Sequence, residues 1–253
     1  MKVHCLGTTG YHPSPTRHTA CYYLPEHSLV LDAGTGIFRL TQVLLSEPRE
    51  SLDIFLSHAH LDHVVGLTFL LDTFAVTTLK RVRLLAARAK LEAIQAHLFS
   101  EHLFPLLPPQ IEFQPLEEID APLELSSGAT IEWFPLEHPM GSNGLRLDFR
   151  GQSLAYVTDT VARPDAAYVP MVKGVDLMLH ECYFTDEHRV LAEKTGHSWL
   201  SAVTDVVRLV GARQTALIHL NPLAEILKSQ LVLTAEHRQL GMQVPSDGDC
   251  LEF

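Results

Sequence analysis

Apolar positions along this chain fall into short runs that alternate with helical stripes. Residues 2–6 read as a strand, and 19–24 with 28–31 read as a hairpin across Pro25, Glu26 and His27. Asp32, Ala33 and Gly34 then form a strand-to-helix junction, and Ile37, Leu40, Leu44 and Leu45 recur at helical spacing, which predicts an amphipathic helix over 37–45. A strand over 53–56 is followed by a helix over 64–71, a strand over 81–86 and a helix over 89–98. Further strands are predicted at 111–116, 129–135, 145–149, 154–157 and 176–179, with Asn143-Gly144 and Arg150-Gly151 as turns. In the helix predicted over 198–210, Ser198 suits the N-cap, and Trp199, Ala202, Val203, Val206, Val207 and Val210 line one face. A strand over 215–218 and a helix over 223–240 close the list. Strands precede helices in each half, which predicts two sheets packed together with helices outside.

No Gly/Ser/Pro-rich linker or charge block divides the chain, so 1–253 is expected to be a single domain. Segment 99–109 carries Phe99, Leu103, Phe104, Leu106, Leu107 and three prolines without a regular period. It suits a flap over a site, a contact in a homodimer or an irregular core-packing connection equally well.

Composition narrows the function classes. Hydrophobic residues at 46% with 19% charged are ordinary for a folded soluble protein. The chain opens without an apolar leader, and no run approaches the roughly 18 apolar residues that span a bilayer, so no membrane is expected. Cys5, Cys21, Cys182 and Cys250 form no CxxC pair, which fits reduced thiols and a cytoplasmic location. Net charge is −11, from 19 basic against 30 acidic residues. The richest basic stretch, Lys80, Arg81, Arg83, Arg88 and Lys90, reads as a solvated face, so a small anionic substrate is expected in preference to a nucleic-acid polymer.

The densest chemistry is SHAHLDH over 57–63, directly after the apolar run Ile54, Phe55 and Leu56. It sets His58, His60, Asp62 and His63 within six residues. His58 and His60 are two apart, so at a strand end both side chains can grip one ion while Asp62 and His63 turn toward a second. Imidazole and carboxylate donors suit zinc, manganese or iron, and the reading is two divalent metal ions, zinc first. Three more donors, His138, Asp159 and His219, each follow an apolar strand pattern, where a sheet-built site collects its ligands.

The order HxHxDH, then His, Asp and His after strands, resembles the metallo-β-lactamase superfamily, an α/β (α+β) fold built as a four-layer αββα sandwich with a dinuclear site. The resemblance implies that His58, His60, His138 and Asp159 hold one metal and that Asp62, His63, His219 and the same Asp159 hold the other. Gly7-Thr8-Thr9, the 179–184 stretch LHECYF and Gly196-His197-Ser198 are similar to the ribonuclease Z-like phosphodiesterase branch. That likeness implies His197 as proton donor to the leaving oxygen, Glu181 as the residue that orients it, and hydrolysis of a phosphodiester, with Asp62 also able to orient the attacking water.

Only 20 residues separate His138 from Asp159, too few for the long protruding arm of ribonuclease Z. With the acidic charge, this argues against tRNA as substrate. The compact spacing is similar to the armless phosphodiesterases of phosphonate degradation, and implies a small, possibly cyclic, nucleotide or ribose phosphate. Their cysteine-rich zinc loop has no counterpart, since Cys5 and Cys21 stand alone. A thioester or lactone hydrolase of the same superfamily, and a non-catalytic metal or nucleotide-binding protein, stay as alternatives.

Overall fold

The computed structural model describes residues 1–224 and 226–253, and among them the strands form two seven-stranded mixed sheets. Contacts group the chain into two compact units, 1–120 with 247–252, and 121–246 with 253.

In the first unit the strands are β1 (Lys2–Gly7), β2 (Cys21–Leu24), β3 (Leu29–Leu31), β4 (Ser51–Phe55), β5 (Arg81–Ala86) and β6 (Ile111–Pro115), side by side in that order, with the C-terminal strand Cys250–Glu252 outside β1. Pairing is antiparallel from the C-terminal strand to β3 and parallel from β3 to β6. A parallel step needs a crossover. Helix α1 (Phe38–Ser46) fills the one between β3 and β4, and α2 (Leu61–Val64) with α3 (Leu70–Val76) the one between β4 and β5; α4 (Arg88–Ala93) leads on toward β6. Leu40, Leu44, Leu67, Leu70 and Leu91 from these crossovers join Val30, Ile54, Leu84 and Ile111 of the strands in one buried core.

In the second unit the strands are β7 (Leu123–Glu124), β8 (Thr130–Leu136), β9 (Ser142–Phe149), β10 (Gln152–Val157), β11 (Leu177–Glu181), β12 (Gln214–Ile218) and β13 (Met242–Gln243), again in sequence order. The β7–β10 meander is antiparallel, and β10 through β13 are parallel. Because β8 and β10 are each antiparallel to β9, strands β8, β10, β11 and β12 all point the same way. Their carboxyl ends therefore share one edge of the sheet. Helix α5 (Arg189–Thr195) precedes α6 (Leu200–Val210), whose Ala202, Val203, Val206, Val207 and Val210 are buried as their periodicity predicts.

Several sequence expectations are corrected by pairing. Asn143 and Gly144 lie inside β9, opposite Pro135 and Phe134, and not in a turn. Their turn propensity is overridden because the Phe134 ring packs over Gly144, where a Cβ would overlap it. The expected turn at Arg150-Gly151 is present, with φ of 49° and 82°. The helix expected over 223–240 is two short ones, α7 (Ala224–Leu227) and α8 (Ala235–Gln239). Lys228 breaks the first in the left-handed region, and Thr234 caps the second through the N–H of His237. Ser198 is not a helix cap: Trp199 occupies that position. In segment 99–109, Phe99 is buried with Phe104 against it at 6.0 Å, while Leu103 and Leu106 are exposed. No helix among the described residues is long and apolar enough to cross a membrane.

Candidate functional site

Each unit carries its own set of metal-type donors at the carboxyl ends of its strands, the edge where open α/β sheets bind ligands. In the first unit the SHAHLDH stretch leaves β4 and turns into α2. The His58 ring lies 4.4 Å from that of His60 and 4.3 Å from that of His63. The Nε2 of His63 stands 3.4 Å from Oδ2 of Asp62. His58 and His63 are buried, while His60 is exposed.

What aims these rings is Asp32, which the sequence reading passed over as a junction residue. It is fully buried just past β3, at a positive φ of 57°. Its Oδ1 accepts from the Ser57 N–H at 2.7 Å. Its Oδ2 accepts from the Ser57 hydroxyl at 2.7 Å and from Nδ1 of His63 at 2.7 Å. Ser57 Oγ in turn stands 3.0 Å from Nδ1 of His58 and accepts its proton, since its own proton goes to Asp32. One carboxylate thus places the N–H of both imidazoles on Nδ1 and leaves both Nε2 atoms as lone-pair donors. The one available signal was an aspartate ending the apolar run Leu29, Val30 and Leu31.

In the second unit His138 follows β8, Asp159 follows β10, Glu181 ends β11 and His219 follows β12. The two oxygens of Asp159 face different imidazoles: Oδ2 is 3.7 Å from Nε2 of His138 and Oδ1 is 3.3 Å from Nε2 of His219. Asp159 and His219 both take positive φ, 48° and 50°, which turns each side chain at its strand end. Nδ1 of His138 donates to the Gly196 carbonyl at 3.0 Å, again reserving Nε2. Burial holds the His138 imidazole below its ordinary pKa, although the Asp159 carboxylate pulls the other way, so the neutral donor form is favoured.

His197 joins this cluster: Asp159, His197 and His219 each offer an atom within 4.8 Å of the others. Its Nδ1 is 3.3 Å from both oxygens of the buried Glu181. Glu181 is anchored separately, since its Oε1 accepts from the Thr160 N–H at 2.6 Å. The Ser198 hydroxyl donates to the Thr160 carbonyl at 2.7 Å and accepts from the Ala162 N–H at 2.8 Å, tying the loop after Asp159 to the start of α6. Ser198 thus serves as a buried tie and not as a helix cap, and no local sequence signal marks Thr160 as its partner.

A model of the Beta-lactamase superfamily domain matches residues 27–220. The chain is 27% identical over 270 residues to the ribonuclease Z of Metallosphaera sedula, covering 87% of this chain and 88% of that relative. In structure it is similar to the metallo-β-lactamase fold protein YhfI from Bacillus subtilis, with a TM-score of 0.76 and 19% identity over 99% of both chains. It is also similar to human tRNase Z, short form, with a TM-score of 0.69 and 22% identity over 100% of this chain and 99% of that one. The expectation that tRNA is disfavoured is corrected by these findings. Net charge sums over the whole chain, whereas contact with a polyanion depends on the local field, and bound cations add to that field.

Proposed function

Because the chain belongs to the β-lactamase superfamily domain family, we propose that it is a metallo-hydrolase that cleaves phosphodiesters with the help of a pair of divalent ions. His58, His60, His138 and Asp159 would hold one ion. Asp62, His63, His219 and the bridging Asp159 would hold the other. The donors fit the group: the imidazoles whose Nδ1 is engaged by Asp32, Ser57 or Gly196 would offer Nε2 to an ion, a donor set that suits zinc, with manganese or iron as substitutes. Such ions would supply Lewis acidity, lowering the pKa of water toward neutrality and offsetting charge on phosphoryl oxygens.

The residues of the chain do the rest. Asp62 takes a hydrogen bond from the Tyr11 N–H on Oδ2 at 2.7 Å, and that fixed carboxylate orients the attacking water. His197 gives its proton to the departing alkoxide from Nε2 while Glu181 holds Nδ1. A positioned acid of this kind is worth on the order of 10²–10⁴ in rate.

The observation that carries the reading is the Glu181–His197 pair, 3.3 Å apart beside His138, Asp159 and His219. A metal centre for thioesters has less need of such an acid, because a thiolate is a good leaving group; a lactone, which opens to an alkoxide, is separated from a diester by the substrate comparison below. The substrate class that needs it most is a diester with an alkoxide leaving group, such as a small cyclic nucleotide or ribose phosphate. Residues 1–253 are proposed to act together as one metallo-β-lactamase-like domain, unfolding in a single transition.

The test is metal content by mass spectrometry together with turnover of bis-p-nitrophenyl phosphate, a 2′,3′-cyclic nucleotide, a precursor tRNA, a lactone and a thioester. Diester cleavage that is lost with a chelator and regained with zinc or manganese is expected. Cleavage of the lactone or thioester alone would replace this reading with the other hydrolase class. His197→Ala is expected to keep its metal and lose rate on the cyclic nucleotide; an undiminished rate there removes the acid role.

A further inference from the structure

The Glu181 carboxylate by itself leaves the His197 ring underdetermined. Both its oxygens lie 3.3 Å from Nδ1, at the long end of a hydrogen bond, and a contact to one ring atom does not set the tilt of the ring plane. The tilt decides where Nε2 points.

A second group supplies that restraint. The Tyr183 ring lies 4.8 Å from the His197 ring with only 20° between their planes, a stacked contact. Tyr183 is itself held. The N–H of the next residue, Phe184, donates to the Ser198 carbonyl at 3.0 Å, and the Leu200 N–H donates to the Phe184 carbonyl at 3.2 Å. These two bonds form a short parallel bridge between Phe184 and Trp199, which locks the segment after β11 against the segment that enters α6. The bridge carries Tyr183 on one side and His197 on the other, so their separation is set by backbone and not by side-chain chance. The His219 ring completes a triangle, 5.4 Å from His197 and 5.7 Å from Tyr183.

We propose that Tyr183 is a positioning residue for His197, its ring face fixing the plane of the imidazole so that Nε2 meets the leaving oxygen. This rests on the reading of His197 as proton donor. The positioning is assigned to the ring face.

The experiment compares wild type, Tyr183→Ala, Tyr183→Phe, His197→Ala and the Tyr183→Ala/His197→Ala double variant, each checked for metal content and melting temperature. Two substrates are used: bis-p-nitrophenyl phosphate, whose leaving group needs little protonation, and a 2′,3′-cyclic nucleotide, whose leaving oxygen is an alkoxide. Tyr183→Ala is expected to lose roughly 10- to 100-fold in kcat on the cyclic nucleotide, the scale of a misplaced group, and under about 3-fold on the activated diester. Tyr183→Phe is expected to retain both rates, which also shows that the site tolerates substitution there. In the His197→Ala background, Tyr183→Ala should cost under about 2-fold, because residues that act through one another are not additive.

Equal losses on the two substrates, a Phe variant as poor as the Ala variant, or an undiminished cost in the His197→Ala background would each overturn the positioning role. A wild type that cleaves neither diester would instead overturn the underlying reading, and the two failures are distinct.

Discussion

Asp32 and His63 lie 31 positions apart in the chain, and their side chains meet at 2.7 Å with neither exposed to solvent. The carboxylate fixes the tautomer of His63 directly and that of His58 through the Ser57 hydroxyl. Asp32→Asn keeps the size but turns one of the two acceptor oxygens into a donor, so the Ser57 N–H, the Ser57 hydroxyl and His63 Nδ1 can no longer all be satisfied. Metal affinity is expected to fall about 10- to 100-fold, the usual cost of losing an outer partner of a ligating histidine. Competitive titration against a chelator of known affinity measures it, and unchanged affinity would show that Asp32 does not govern the donors.

Gly144 is the second test. A Cβ there would overlap the Phe134 ring and stand 2.9 Å from the backbone carbonyl of Tyr156, which the β9–β10 ladder prevents from moving. Gly144→Ala is expected to destabilise the fold by about 1–3 kcal/mol, as overpacking does. Urea unfolding would register this as a lower midpoint; had the residue sat in an exposed turn, the midpoint would hardly change.

Ser198 separates two accounts of one residue. As a helix cap, Asn would replace it well, since Asn and Ser cap equally. As the buried tie between Thr160 and Ala162, only its small hydroxyl fits. Ser198→Ala and Ser198→Asn are both expected to cost about 1–3 kcal/mol, the price of stranding buried polar groups. A stable Asn variant with a destabilised Ala variant would restore the capping account.

His180 bears on pH. It is fully buried, Nδ1 donates to the Glu181 carbonyl at 2.8 Å, and Nε2 accepts from the Tyr168 hydroxyl at 2.8 Å. Both nitrogens are satisfied in the neutral ring, and burial, which penalises the charged form, lowers the pKa below its ordinary 6.5. The unfolded chain therefore takes up this proton before the folded chain does, so stability falls as pH drops below about 6.5. The contribution of this one group is at most about 1.4 kcal/mol per pH unit. Melting curves between pH 7.5 and 5 should show the decline, and His180→Gln should make it shallower; an unchanged slope would assign the effect elsewhere.

The sequence alone determined the two-sheet α/β class, most strand positions and the metal-type donors, for a local reason. A strand announces itself by a run of apolar residues a few positions long, and His58, His60, Asp62 and His63 are neighbours in the chain. His138, Asp159 and His219 were legible because each follows such a run. Tertiary structure alone decided what turns those donors into an oriented set. Asp32 reaches His63 across the β3–β4 pair, Ser198 reaches Thr160 across 38 positions, and Tyr183 faces His197 through a backbone bridge. The same long-range pairing drew Asn143 and Gly144 into a strand against their turn propensity. Periodicity records which face of an element is buried; which residue lies opposite, and which nitrogen of an imidazole it engages, depends on strand pairings made between distant parts of the chain.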